Sequence, residues 1–139
     1  MIKDQMKKIC LILFVLIFFS ASMIFFKKDH CENNKAKIYQ INFKNYCLLT
    51  AVNQKQWERG LMYYKNKREL NGADGMIFIF PDKQIRSFWN KNTYMDLDLY
   101  WMNDKMVLGK NSLPSIEKTK KIISVGSPGQ ADKVIEIIK

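Results

Sequence analysis

The sequence predicts a mainly β (α+β) fold, an antiparallel β-sandwich or open barrel with one helix, preceded by one N-terminal transmembrane or signal helix. Three observations predict it: a long uncharged segment near the N-terminus, about seven short apolar segments separated by turn residues, and a single capped helical segment. The 139 residues suffice for one domain with a short appendage. The predicted boundaries are 1–28 for the membrane segment, 29–37 for a polar tether and 38–139 for the domain.

The membrane segment is Ile9–Phe26, eighteen residues without a charge, a proline or a glycine. As a helix it would be about 27 Å long, close to the thickness of the hydrocarbon core. Lys7 and Lys8 precede it and Lys27 and Lys28 follow it, and long basic side chains reach lipid head groups from such positions. A membrane is therefore an expected partner.

Two interpretations of this segment remain open. A retained signal anchor would leave the domain facing outside the cytoplasm, in the periplasm or at the cell exterior. A cleavable signal peptide, with Ser20 and Ser22 as the small residues before the cut, would make the protein secreted. The apolar run continues through Met23–Phe26, which favours the anchor.

The composition excludes several kinds of site. One His and three separated Cys residues do not supply a zinc-binding cluster, so we expect no metal and no cofactor. The net charge of +10 fits a lysine-rich solvated surface. Aromatic residues alternate with lysines in Trp57–Lys67, but nucleic acid is not an expected partner of an exported domain.

The cysteines leave two possibilities. Cys10 lies in the apolar segment and behaves there as a small hydrophobic residue. Cys31 and Cys47 are sixteen residues apart in the exported part. They form either a disulfide that joins the tether to the first hairpin, or two unpaired thiols with Cys47 buried in a strand.

The first elements of the domain are a hairpin and a helix. Ile38–Phe43 and Cys47–Val52 have strand composition, and Lys44–Asn45 between them is turn chemistry. Asn53 then caps a helix that runs from Gln54 to about Tyr64.

The rest of the domain is predicted to be strands. The continuous apolar run Met76–Phe80, ended by Pro81–Asp82, is typical of a strand buried on both faces. The later strands are Ile85–Trp89, Met95–Trp101, Met106–Gly109, Ile122–Val125 and Val134–Ile138. Because the last strand ends next to Lys139, we expect an exposed sheet edge there.

Several motifs carry a family resemblance. They are Glu58–Met62, Gly75–Phe80, Phe88–Thr93 and Leu97–Asp98. In combination they resemble the domain-of-unknown-function family numbered 192, small and often exported proteins, over residues 38–138. Asn90 stands where that family usually has Met, and Asp96 where it has Pro. The resemblance implies a compact β-rich domain and no particular activity.

The candidate site consists of polar and aromatic residues of these motifs and of Val134–Glu136, which is similar to a late segment of the family. They are Arg59, Trp89, Lys91, Asn92, Thr93, Asp98 and Glu136. In the functional interpretation they form one pocket, in which Trp89 offers a stacking face, the two cations hold an anion, and the amide and carboxyl groups fix hydroxyls. In the structural interpretation, Asn92–Thr93 closes a turn and Asp98 pairs with Arg59.

No catalytic constellation is recognisable. We therefore predict a membrane-anchored extracytoplasmic module that binds a small ligand or an envelope partner without catalysis. The alternative is a carboxylate-dependent enzyme acting on an envelope glycan, with Asp98 and either Glu136 or Asp96 as its carboxylate pair.

Overall fold

The computed structural model describes Cys31 and residues 35–139, and the predicted membrane segment Ile9–Phe26 lies outside these residues. Among the helices of the described part, none is long and apolar enough to cross a membrane.

The elements in chain order are β1 (Ala36–Ile41), β2 (Lys44–Ala51), α1 (Gln54–Arg59), a 3-10 turn (Lys67–Leu70), β3 (Gly75–Gln84), β4 (Ser87–Trp89), β5 (Leu97–Asn103), β6 (Met106–Leu113), α2 (Ile116–Thr119), β7 (Ser124–Gly126) and β8 (Ala131–Ile138).

The strands form one large sheet and one small ribbon. The large sheet has six strands in the order β1-β2-β3-β8-β5-β6, and β4 pairs with β7 in the ribbon. The sheet curls into a half-barrel. The prediction of a mainly β fold is confirmed. Of the two predicted architectures, the sandwich is wrong, because the second sheet has only two strands of three residues each, and the curled sheet is closer to the open barrel.

The first hairpin is confirmed, but its turn is two residues earlier than predicted. Asn42 and Phe43 form the turn, with φ of 48° and 64°, while Lys44 and Asn45 already belong to β2. Two-residue loops with positive φ at both positions match the right-handed twist of paired strands. The twist of the paired strands therefore sets the position of the turn, although Phe43 is a residue type that does not favour positive φ.

One pairing in the large sheet is parallel, that of β2 with β3. Parallel neighbours need a crossover, and α1 and the 3-10 turn supply it. Asn53 caps α1 as predicted, since its Oδ1 accepts a hydrogen bond from the Gln56 N–H at 3.1 Å. The helix ends at Arg59 and not near Tyr64, because Gly60 adopts φ 48° and ψ −133°, outside the helical region.

Strand β3 continues beyond its predicted end. It runs through Pro81 as far as Gln84, with an irregular register against β8 between Ile79 and Gln84. Such an irregularity accommodates a proline, which has no N–H for the ladder.

The last strand, β8, is central. It lies between β3 and β5, so the expected sheet edge at the end of the chain is wrong, and the edges are β1 and β6. Glu136 pairs in register with Met76 on one side and with Leu99 on the other. The sequence indicates strands but carries no direct signal for the order in which distant strands pair.

Two apolar clusters cover the two faces of the large sheet. The cluster on the first face includes Phe78, Leu99 and Trp101, and it packs against α1 and the ribbon. Phe88 of the ribbon contacts Phe78 and Trp101 edge-on, with ring centroids 4.8 and 5.7 Å away. Ile77, Ile135 and other residues form the cluster on the second face. The first face is the one that carries the site described below.

A disulfide ties the tether to this sheet. Cys31 and Cys47 are bonded, with Cα atoms 5.3 Å apart. Cys47 lies in β2 and is buried, so the bond fixes Cys31 against the first face of the sheet.

We expect Gly75→Ala to destabilise the fold by more than about 3 kcal/mol, the upper end of the usual cost of overpacking. A Cβ at Gly75 would overlap the carbonyl oxygen of Glu136 in the neighbouring strand, so β3 and β8 would have to separate. Urea denaturation of the full chain measures the effect. Gly126→Ala is the matched control, because its nearest atom would be 3.8 Å away. Equal stability of the two variants would contradict the prediction.

Candidate functional site

A small cavity lies between the first face of the large sheet and the turn that ends α1. Its walls are residues 57–62 of α1 and its turn, Phe78 and Glu136 of the sheet, and Phe88, Trp89 and Thr93 from the ribbon side. Its volume is about 30 Å³, enough for about two water molecules.

Glu136 forms the closed end of the cavity. The residue is 5% exposed, and its Oε2 has no hydrogen-bond partner among the described residues. Its neighbours in the sheet, Met76 and Leu99, are apolar. Burial raises the pKa of the Glu136 carboxyl to about 8. The side chain is therefore mostly an uncharged carboxylic acid at pH 7.

Gly60 keeps the cavity open. Its φ of 48° is unfavourable for other residues. A Cβ there would lie 3.1 Å from Cζ of Phe78 and 3.7 Å from Oε2 of Glu136. Glycine thus permits both the sharp end of α1 and the close approach of its turn to the carboxyl.

An aromatic groove adjoins the cavity. It has a volume of about 410 Å³, within the range of small-molecule sites. It shares Trp57, Glu58, Phe88 and Trp89 with the cavity. Trp57 is fixed in its wall by a hydrogen bond from its Nε1 to the Ala51 carbonyl at 3.1 Å. The groove and cavity form one site, wide at the surface and narrow at Glu136.

The far wall of the groove is rigid. The Arg86 guanidinium lies over the Phe80 ring, 3.9 Å from its centroid. It donates hydrogen bonds to Asp82 Oδ1 at 2.6 Å and to the Ala131 carbonyl at 3.3 Å. Phe80 in turn packs on Trp57, with ring centroids 5.1 Å apart. The charge of Arg86 is already balanced by Asp82, so this wall offers mainly aromatic surface.

Four of the seven predicted site residues line the cavity: Arg59, Trp89, Thr93 and Glu136. Lys91 lies beside them, with its Nζ 5.0 Å from the Trp89 ring centroid. Arg59 is at the mouth of the cavity and lies over the Tyr64 ring at 5.8 Å. The structure therefore brings five of these residues to one region.

The other two predicted residues have structural partners elsewhere. Asn92 donates from Nδ2 to the Tyr63 hydroxyl at 3.0 Å, and its carbonyl accepts from the Tyr63 N–H at 2.8 Å. These bonds join the loop after β4 to the turn after α1. Asn92 has φ 53°, a conformation that asparagine tolerates well.

Asp98 lies on the opposite face of the sheet from Glu136. Its register partner in β8 is Ile137, whereas Glu136 pairs with Leu99, and successive side chains of a strand point to opposite faces. Ion pairs with Lys110 at 2.7 Å and Lys139 at 3.0 Å hold it. The expected pairing with Arg59 is wrong, and so is the Asp98–Glu136 catalytic pair.

The two departures from the family pattern have structural roles. Asn90 is fully buried, and its Oδ1 accepts from the Ile123 N–H at 2.8 Å while its Nδ2 donates to Thr119 Oγ1 at 2.8 Å. Asp96 Oδ1 accepts from the Ser115 N–H at 2.8 Å, which lowers the pKa of its carboxyl. Asn90 thus fixes the segment that precedes the ribbon strand β7, and Asp96 fixes the segment that precedes the helix α2.

Of the four residues that the cavity and the groove share, sequence reasoning missed three: Trp57, Glu58 and Phe88. Glu58 and Phe88 lie inside the motifs quoted above, so motif membership was the available signal. Trp57 lies next to the first motif, within the predicted helix. No group of three or more His, Cys, Asp or Glu residues in the described part of the chain is arranged to hold a metal ion.

A comparison with protein families gives a direct match. The model of the DUF192 family, described as "Uncharacterized ACR", matches residues 37–139. The chain belongs to the DUF192 family. A comparison with curated proteins finds no match.

Solved structures resemble this DUF192 domain in fold. One is a "putative transcription regulator" from Sinorhizobium meliloti 1021, with a TM-score of 0.55, 24% identity, and coverage of 74% of this chain and 78% of that one. Another is a protein of unknown function from Novosphingobium aromaticivorans DSM 12444, with a TM-score of 0.58, 19% identity, and coverage of 81% and 86%. At these identities the likeness shows the fold alone.

We expect Glu136→Gln to gain stability relative to the wild type as the pH rises from 5 to 8. In this range the folded wild type keeps a proton on Glu136, whose pKa is about 8, while the unfolded chain releases it near the ordinary value of 4.5. The free energy of unfolding of the wild type therefore falls by up to about 1.4 kcal/mol per pH unit, a loss that the amide avoids.

Urea denaturation at pH 5, 6, 7 and 8 measures this difference. Asp98→Asn is the control, because the pKa of Asp98 is lowered below its ordinary value and its carboxyl stays ionised throughout the range. A difference between Glu136→Gln and wild type that is constant with pH would contradict the prediction.

Proposed function

We propose that this DUF192 chain is a non-catalytic binding module whose ligand occupies the aromatic groove and reaches Glu136 with one polar group. The observation that supports this proposal is the buried Oε2 of Glu136 at the closed end of the cavity, which has no hydrogen-bond partner among the described residues. Ligand sites combine an apolar wall with a few polar groups that converge on the ligand, and this arrangement has both.

The walls favour a ligand with a flat apolar face and hydroxyl groups. Trp57, Phe88 and Trp89 line the groove, and Trp89 is 47% exposed, so its ring face is accessible. Aromatic rings beside amide, hydroxyl and carboxyl groups are suited to pack on sugar rings. A sugar unit of an envelope glycan therefore has the proposed chemistry.

The proposed location is the membrane surface outside the cytoplasm. The uncharged Ile9–Phe26 segment with its lysine flanks supports an anchor. The Cys31–Cys47 disulfide supports an oxidising compartment, because such bonds persist mainly outside the cytoplasm.

A second candidate is a carboxylate-dependent enzyme that acts on an envelope glycan. The observation in its favour is that burial keeps Glu136 protonated near neutral pH, as a general acid requires. Glu58 lines the same cavity and would be the second carboxylate. In this enzyme Glu58 takes the place of Asp98 as the second carboxylate, because Asp98 lies on the face of the large sheet opposite to Glu136.

We expect the full chain in detergent to bind a soluble sugar or cell-wall fragment and to melt at a higher temperature with it. At a concentration 100 times the dissociation constant, a ligand of the folded state adds about 2.7 kcal/mol. The screen uses neutral sugars, tri-N-acetylglucosamine, its de-N-acetylated counterpart, simple anions and muropeptides, with thermal melting as the readout.

Trp89→Ala should weaken binding at least about tenfold, as loss of an aromatic anchor commonly does. Phe43→Ala is the control, because Phe43 is 98% exposed in the β1–β2 turn and lies outside the groove. Absence of any shift would contradict the proposal. New reducing ends released from a glycan, and lost in Glu136→Gln, would favour the enzyme.

We expect a full-length chain fused at its C-terminus to alkaline phosphatase to be enzymatically active, because that reporter needs an oxidising compartment to fold. The same fusion lacking residues 1–28 is the control and should be inactive. An inactive full-length fusion that is present at the same level would contradict the proposed location.

A further inference from the structure

We propose that Glu136 recognises the ligand as an uncharged carboxylic acid, whose O–H donates a hydrogen bond to a neutral oxygen of the ligand, a hydroxyl or a carbonyl, in the cavity beside Gly60. This deepens the proposed function, on which it rests, by naming the chemical class of the group that enters the cavity. It also makes binding depend on pH.

The first support is the position of the carboxyl. Glu136 is 5% exposed, and its Oε2 has no partner in the described part of the protein. Buried polar atoms normally have a hydrogen-bond partner, and an apolar residue of similar shape costs less than a polar one without a partner. A purely structural position in this apolar sheet face would therefore favour a side chain like that of its neighbour Met76.

The second support is the size of the space. The cavity of about 30 Å³ has room for a group about the size of two water molecules. The groove of about 410 Å³ has room for the body of the ligand, and a small substituent of the ligand enters the narrower cavity. Gly60 and Phe78 fix the cavity walls, since even a Cβ at Gly60 would lie 3.1 Å from the Phe78 ring. A single oxygen atom carried by the ligand fits.

The third support is that the charges of the residues around the carboxyl cancel, so that no net countercharge remains. The charged residues that line the cavity are Glu58 and Arg59 at its mouth, and together they carry no net charge. The flanking strands contribute Met76 and Leu99. The uncharged residues from the ribbon side are Phe88, Trp89 and Thr93.

This environment favours the protonated acid. Burial is the cause that raises the pKa of Glu136 to about 8. An ammonium group on the ligand would require Glu136 to ionise in an apolar site, and both charges would lose their hydration. A hydroxyl or carbonyl oxygen accepts the acid proton in a hydrogen bond and leaves the site neutral.

The test is the pH dependence of binding by the full chain in detergent, with tri-N-acetylglucosamine as the neutral probe and its de-N-acetylated counterpart as the cationic one. For the neutral probe, the dissociation constant of the wild type should be level from pH 6 to 7. It should rise about tenfold between pH 7 and pH 9, as Glu136 ionises around pH 8. At pH 6, where its amino groups are protonated, the cationic probe should bind more weakly than the neutral one.

Glu136→Gln should remove the pH dependence and keep the affinity for the neutral probe within about tenfold of the wild type, because the amide still donates a hydrogen bond. Asp98→Asn is the control, an acid-to-amide change on the opposite face of the same sheet, and it should keep the wild-type profile.

Three results would overturn the inference. A wild-type affinity that does not change with pH would show that Glu136 does not contact the ligand as an acid, and this needs no variant. Tighter binding of the cationic probe, with loss in Glu136→Gln, would show a carboxylate that binds cations. Absence of binding by either probe would overturn the proposed function and this inference together.

Discussion

The insertion of β8 between β3 and β5 is the constraint on which the rest of the structure depends. The last strand of the chain completes the middle of the sheet and joins its two halves. The backbones of β3 and β8 approach so closely at Gly75 that no side chain fits there. Because Glu136 is in this strand and faces α1, a carboxyl lies at the centre of an apolar face. The unusual protonation of that carboxyl is a consequence of the topology.

The site forms where two small elements pack on this rigid sheet. The turn after α1 covers one side of Glu136, and Phe88 attaches the β4–β7 ribbon to the other side through its contacts with Phe78 and Trp101. The groove is the gap between them. Neither element is large, and each is fixed by specific contacts, such as the hydrogen bond of Trp57 to the Ala51 carbonyl. Rigid support of this kind is what a preorganised binding site requires.

Local features of the fold could be predicted from the sequence, whereas long-range pairings could not. The Asn53 cap, for example, depends on residues three positions apart. The central place of β8 and the parallel β2–β3 pairing depend on strands that are far apart in the chain. The sheet face that a residue occupies depends on the same pairings. For this reason Asp98 and Glu136 looked equivalent in sequence, although their side chains lie on opposite faces.

The disulfide between Cys31 and Cys47 shortens the reach of the domain. If Ile9–Phe26 spans the bilayer, as proposed, four residues lie between its end and the bonded Cys31, and an extended chain covers about 17 Å from Phe26 to Cys31. Without the bond the distance would run from Phe26 to the start of β1 at Ala36, which an extended chain covers in about 35 Å. The oxidised protein would thus reach only ligands in a thin layer next to the lipid. Reduction would double the depth of that layer, so the redox state would set which part of the envelope the domain can reach.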